Sequence, residues 1–371
     1  MRKISSAICL FLLVGCGSSE QQPQASDAAD QPSATDAAQA ASPPVATAEP
    51  VAAPKRPLAE LIKENVAGSE AAWGAKDIKK LGALYTQDAG FATWGMTGAK
   101  EEKGPEMLKG LEGFWAALAE VKLKTGRVIQ SNDLAISEWV VTATTQDKKT
   151  LGVSGVSLMW FADDGRVKRE QLYMDEQTTG MQMGEKSLRG RAPISAPAST
   201  EWVTVGNTAD EKKNVETIKA LYGALDKKDT KAFEGMLADD AVFSDMARPE
   251  DVKGKAKIKD DFGKFSKAFP DLKLETKQVI GAGKYVVVEG SWTGTMQGQL
   301  GPLKASKKNG TIHFVDVFEL KDGKVAKLTT YSNGAEFAGA FLPPPPAKPA
   351  AKEPAKDAKP QPATKEPAAK K

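Results

Sequence analysis

Cysteine and histidine are nearly absent: the 371 residues include two cysteines and one histidine. A structural zinc site needs about four such ligands and a catalytic one about three, so zinc chemistry of that kind is excluded and neither metal nor cofactor is expected. A Ser/His/Asp triad could form only around His313. Long apolar runs are missing too; the run from Ile8 to Val14 is too short to span a bilayer. Charge of one sign is scarce. The net charge is +3, and the Pro/Ala/Lys stretch from 343 to 371 alone holds seven lysines against three acids. The rest of the chain is therefore nearly neutral and offers no electrostatic footprint for nucleic acid.

The first residues read as an export signal, with Arg2 and Lys3 ahead of the short apolar run. That run ends in Leu13-Val14-Gly15-Cys16, which resembles the lipobox of bacterial lipoproteins. The resemblance implies cleavage before Cys16 and lipidation of its thiol, with the membrane as a partner through acyl chains worth about 0.8 kcal/mol per buried methylene. Signal and lipobox together take residues 1–16; Cys9 leaves with the part ahead of Cys16, Cys16 is consumed by lipid, and no disulfide framework remains. Gly17 stands where lipoproteins retained in the inner membrane of enterobacteria resemble one another in having aspartate, so an outer-membrane anchor facing the periplasm is expected. Residues 17–56 are mostly Ala, Ser, Gln, Pro, Asp and Thr with almost no large apolar side chain, a composition that cannot offset ordering entropy and reads as a disordered tether. The tail from 343 reads as a solvated, disordered end, the alternative being contact with a cell-wall, lipid or protein partner.

Between the tethers the sequence repeats. Leu84-Tyr85-Thr86-Gln87-Asp88-Ala89-Gly90-Phe91 is answered by Met236-Leu237-Ala238-Asp239-Asp240-Ala241-Val242-Phe243, and Asp164-Gly165 with Tyr173 by Asp322-Gly323 with Tyr331. Each copy opens with an amphipathic helix, carrying Leu58, Leu61, Ile62, Val66 and Trp73 in the first and Val215, Ile218, Leu221, Tyr222 and Leu225 in the second. A short helix, a strand and a third apolar-periodic helix follow, over 107–118 and 258–269, the latter stopped by Pro270. Alternating strands are then expected over 122–130, 134–145, 154–162 and 166–174, and over 273–280, 285–296, 311–320 and 324–331. Helices first and strands after indicate α+β: two tandem cone-shaped domains, 57–184 and 209–342, each a curved antiparallel sheet wrapped around N-terminal helices, joined by a linker at 185–208.

The second copy resembles the SnoaL-like polyketide cyclase family, within the nuclear-transport-factor-2-like fold that also contains ketosteroid isomerase. The residues that carry this are Leu237 to Phe243, Ala268-Phe269-Pro270-Asp271-Leu272, Trp292-Thr293-Gly294-Thr295, and Val315-Asp316-Val317-Phe318 with Lys321-Asp322-Gly323-Lys324. The first copy shares Leu84 to Phe91, Asp164 to Val167 and Tyr173-Met174-Asp175. The resemblance implies a cone with a mainly apolar pocket. It also implies a histidine and an acid/base aspartate on the last strand, but those positions read Leu328, Thr329 and Thr330 in one copy and Glu170, Gln171 and Leu172 in the other, and the middle-strand histidine is replaced by Met296. Neither leucine nor threonine can abstract a proton beside a carbonyl.

The candidate catalytic carboxylates are Asp316 and Glu289. Asp316 alternates with Phe314, Phe318 and Leu320 and should share their face, where burial would raise its pKa. Glu289 and Glu138 occupy matching places in the two copies; a shared pocket role and solvated strand charge are both open readings. With Glu138, the residues Trp292, Phe314, Leu328, Thr330 and Leu172 are the expected pocket lining. His313 sits three residues before Asp316 and so on the opposite strand face. The expectation is a membrane-anchored, non-catalytic protein that binds a small apolar ligand or a protein partner. Two alternatives stay open: an isomerase, cyclase or hydrolase acting through a carboxylate of the second domain, and an envelope spacer working through its basic tail. Since relatives dimerise through the outer sheet face, the two copies are expected to pair as a pseudo-dimer.

Overall fold

The computed structural model describes residues 56–186 and 188–343. The expected signal, lipobox, tether and C-terminal tail lie outside the described residues, Arg56 and Pro343 at their margins apart.

The first half runs α1 (Leu58–Ala75), α2 (Ile78–Ala83), β1 (Tyr85–Gly95), β2 (Gly98–Lys103), α3 (Gly104–Ala116), β3 (Leu118–Ser131), β4 (Leu134–Thr145), β5 (Thr150–Phe161), β6 (Val167–Met174) and α4 (Glu176–Gln182). After β7 (Glu201–Thr204) the second half repeats the order with α5 (Ala209–Asp226), α6 (Thr230–Gly235), β8 (Leu237–Asp245), β9 (Val252–Lys253), α7 (Lys255–Ala268), β10 (Lys273–Ala282), β11 (Tyr285–Thr295), β12 (Asn309–Lys321), β13 (Lys324–Tyr331) and α8 (Gly334–Phe341). The repeat extends to punctuation. Lys76 and Lys228 leave α1 and α5 with φ of 52° and 55°, and each reaches a carbonyl, of Leu118 and of Pro270. Asp77 and Asp229 then cap α2 and α6 by accepting backbone N–H groups, satisfying donors that a helix start leaves open.

The strand orders are β2-β1-β6-β5-β4-β3-β7 and β10-β11-β12-β13-β8-β9. The long strands pair antiparallel, but the first strand of each domain lies parallel to its last. The segment expected as a plain linker also contributes structure: β7 adds to the edge of the first sheet, parallel to β3. Trp202 and Val203 of β7 are half-buried against the core, while the Pro- and Ser-rich surroundings dominate the sequence signal there.

Strand alternation sorts the residues onto two faces. In the second domain Phe314, Phe318, Leu320, Val286, Val288 and Leu328 turn inward, against Ile218, Leu221 and Tyr222 of α5, Phe233 of α6 and Ile258 and Phe262 of α7. Each fully buried aromatic or aliphatic side chain there contributes about 1.5–3 kcal/mol. In the first domain Trp115, Leu118, Val121, Val141 and Leu151 form the corresponding interior with Ala72 and Leu81. The outward faces are apolar as well. Val287, Val315, Val317, Tyr285 and Tyr331 pack against Ile129, Ile136, Val156, Leu158 and Tyr173, so the two sheets stand back to back.

Candidate functional site

The inward face of the second sheet gathers Asp316 with an aromatic lining. Asp316 is 9% exposed. Tyr222, from α5, donates its hydroxyl to Oδ2 at 2.6 Å, and Thr330, its cross-strand neighbour on β13, donates to Oδ1 at 2.7 Å. Burial pushes the Asp316 pKa up to about 6, with the two hydroxyl bonds pulling the other way and Asp245 adding to the rise. Asp245 pairs in register with Thr330 and therefore shares the concave face. Its pKa is also pushed up to about 6 by burial, opposed by the Ala247 N–H and by Arg248. Burial, then the neighbouring Asp316, raises the Tyr222 phenol far above its ordinary value, so it acts as a hydrogen-bond donor.

Of the expected lining, Phe314 and Leu328 belong to this interior, and half-buried Trp292 packs against it. Trp292 is also enclosed by Phe265, Phe269, Phe337 and Phe341, with its ring stacked on Phe341 at 5.5 Å. Thr330 touches Asp316 directly. Leu172 lies on the inward face of the first sheet, opposite Ser157. It thus belongs to the other cone and not to the Asp316 group.

Glu289 and Glu138 require correction. Glu289 pairs with Val315 on the outward face, so β11 turns it away from Asp316. It accepts the Tyr173 hydroxyl at 2.9 Å and the Gln278 amide at 2.8 Å. Glu138 does the same from the other domain, accepting Tyr331 at 2.9 Å and pairing with Arg127. Neither lines a cone and neither is solvated strand charge: Glu289 is buried and Glu138 half-buried where the domains meet. Trp94 is also outward, stacked on Tyr173 at 4.4 Å with His313 alongside at 5.3 Å.

The residue that sequence reasoning passed over is Glu170. It occupies the place where the resembled cyclases carry histidine, points inward opposite Met159, and is 7% exposed. Tyr85 donates to it at 2.6 Å. Burial raises its pKa, with hydrogen bonds from Ser157 and Tyr85 opposing. Ser157 in turn accepts the Trp139 indole N–H at 3.0 Å.

Each domain has a cleft where its first helix meets an edge of the sheet. In the second, a space of about 340 Å³ is lined by Ile218, Tyr222, Leu274, Val279 and Val288 with Lys219 and Asp226 among its polar groups. Tyr222 thus borders the cleft on one side and holds Asp316 on the other. The cleft of the first domain lies nearer the end of α1, between Gly74–Lys76 and Ala119–Lys122. Among the described residues no group of His, Cys, Asp or Glu could hold a metal ion.

Residues 215–338 match the family described as SnoaL-like polyketide cyclase, and residues 66–170 match the SnoaL-like domain family. The chain carries two SnoaL-like domains. Similar solved structures include one assigned as a SnoaL-like polyketide cyclase from Jannaschia sp. CCS1, at 20% identity over 38% of this chain and 98% of that one, with a TM-score of 0.35. An NTF2-like protein of unknown function from Burkholderia pseudomallei is 17% identical over 35% of this chain and 98% of its own, with a TM-score of 0.31. An LEH-like epoxide hydrolase from M. tuberculosis is 15% identical over 35% and 90%, with a TM-score of 0.30. No curated protein matches the sequence. The Glu170–Tyr85 and Asp316–Tyr222 pairs are thus the polar centres of two SnoaL-like domains, one in each.

Proposed function

We propose that the protein is a lipid-anchored envelope protein whose second SnoaL-like cone holds a small, largely apolar molecule without converting it. The observation that carries binding over turnover is the internal closure of the carboxylate at the centre of each cone, Asp245 lying at the end of the second. Asp316 is held by Tyr222 and Thr330, and Glu170 by Tyr85 and Ser157. A general base must stand within hydrogen-bond reach of the proton it removes, and here that reach is taken up by the chain's own hydroxyls. Ile218, Leu274, Val279 and Val288, which line the cleft beside Tyr222, supply apolar surface, worth about 25 cal/mol for each Å² of ligand they cover.

Native mass spectrometry of the chain from residue 17 onward, purified from its own host, tests this. A retained small molecule is expected, and Leu328→Trp, which fills the concave face, should expel it; a wild-type chain that is folded and empty sinks the reading. The Asp316 pKa of about 6 favours a second reading, acid–base chemistry in the same cone. If Asp316→Asn retains a chemically different species from the wild type, turnover replaces storage.

Anchoring at Cys16, with export to the periplasmic face of the outer membrane, belongs to the same proposal and rests on Leu13-Val14-Gly15-Cys16 and Gly17. Incorporation of labelled palmitate that survives Cys16→Ser would remove it. The lysine-bearing tail is proposed to face anionic envelope partners.

A further inference from the structure

Between the domains, the chain from 188 to 200 has no helix or strand, yet one of its residues is held from both sides. Thr178 accepts the backbone N–H of Arg191 at 3.1 Å, and Gln182 donates to its carbonyl at 2.9 Å, so the first domain fixes the main chain. The side chain belongs to the second domain. One terminal nitrogen meets Asp251 at 2.9 Å and the other donates to the Asp245 carbonyl at 3.0 Å. The guanidinium side chain is only 14% exposed. Its Nε–H is buried with no partner among the described residues.

A buried N–H left unpaired carries a desolvation cost, which a bound acceptor would recover. Beside it stands Asp245, whose carboxyl accepts the Ala247 N–H through one oxygen, Oδ1. The other cation nearby is committed: Arg248 forms a two-pronged pair with Asp261 at 2.6 and 2.9 Å. The open groups are therefore one donor and one acceptor. A neutral hydroxyl complements both, accepting from Nε and donating to the carboxylate, and it brings no further charge into a buried place.

We propose that Arg191 and Asp245 form a hydroxyl-recognition subsite at the end of the second cone, selecting an apolar alcohol or phenol. The subsite is composite: the second domain supplies the carboxylate, and the linker, seated on the first domain, supplies the arginine. It rests on the reading of the second cone as a ligand site.

A matched series tests it on the chain from residue 17 onward: 2-naphthol, which donates and accepts; 2-methoxynaphthalene, which only accepts; and 2-methylnaphthalene, which does neither. The naphthol should bind about ten-fold or more tightly than the methyl compound, the size of a hydrogen bond to a charged group. Arg191→Met, which keeps the apolar stem, should erase that preference and leave the methyl compound unchanged. Equal affinities for all three in the wild type overturn the subsite. So does an Arg191→Met chain that loses all three alike, since that is a structural role. If none binds, or if Leu328→Trp fails to block them, the cone reading itself has failed and the subsite falls with it.

Discussion

The two cones share their strand order and their punctuation but not their interiors. In the second, the inner carboxylate sits on β12 and takes its phenol from helix α5. In the first, the residue matching Asp316 is Ser157, and the carboxylate has moved to Glu170 on β6, with its phenol on strand β1. The outward faces changed far less: Tyr173 meets Glu289 and Tyr331 meets Glu138, two pairs related by the repeat. A duplicated fold kept what joins the copies and altered what each encloses. That is the pattern expected if the copies hold different molecules or only one holds any, because the joining surface constrains both copies at once.

Core substitutions should break the likeness most. Phe318→Ala removes a fully buried ring and should cost about 3–5 kcal/mol, whereas Met159→Ala, at the matching but half-buried place, should cost clearly less; thermal unfolding of the two variants measures the gap. At the junction the order reverses. Glu138→Ala removes the more buried of the two carboxylates that hold Arg127, leaving Glu201, and should cost about 3 kcal/mol. Glu289→Ala, facing Tyr173 and Gln278, should cost about 1–3 kcal/mol. Equal urea midpoints for these two would mean that Arg127 is well solvated.

Acidity gives the next contrast. With a folded pKa of about 6 against an ordinary aspartate value near 4, Asp316 binds its proton more tightly in the folded state. Its contribution is therefore stabilising below pH 4 and is lost as pH rises through 6, at up to about 1.4 kcal/mol per pH unit. Asp316→Asn should flatten the dependence of stability on pH between 4 and 6; an unchanged slope would show the carboxyl to be hydrated. The smallest effect is expected from Tyr222→Phe, about 1 kcal/mol, with a further rise in the Asp316 pKa as it loses a hydrogen bond that favours its anion. Carboxyl NMR titration reads that shift, and Tyr85→Phe should move Glu170 in the same direction.

Much of this was legible in the sequence. The pairs Asp77/Asp229 and Tyr173/Tyr331 recur at fixed places, and the alternation of Phe314, Asp316 and Phe318 marks an inward carboxylate without knowledge of neighbouring strands. Glu289 was misread for a definable reason. It follows Val286-Val287-Val288, and a strand buried on both faces shows no alternation from which to tell inside from outside. Glu170 was missed because β6 reads Lys168-Arg169-Glu170-Gln171, a polar run whose inward member only pairing with β5 reveals. Strand β7 is set by its edge position beside β3, which four residues among prolines and serines cannot announce.

The back-to-back sheets also bear on mass action. Two apolar faces that would otherwise find partners by collision are joined through one polypeptide, so their encounter is intramolecular and its effective concentration is fixed by the connecting segment. The pairing is therefore indifferent to dilution: a single copy, however sparsely distributed, presents the same closed surface as a crowded one.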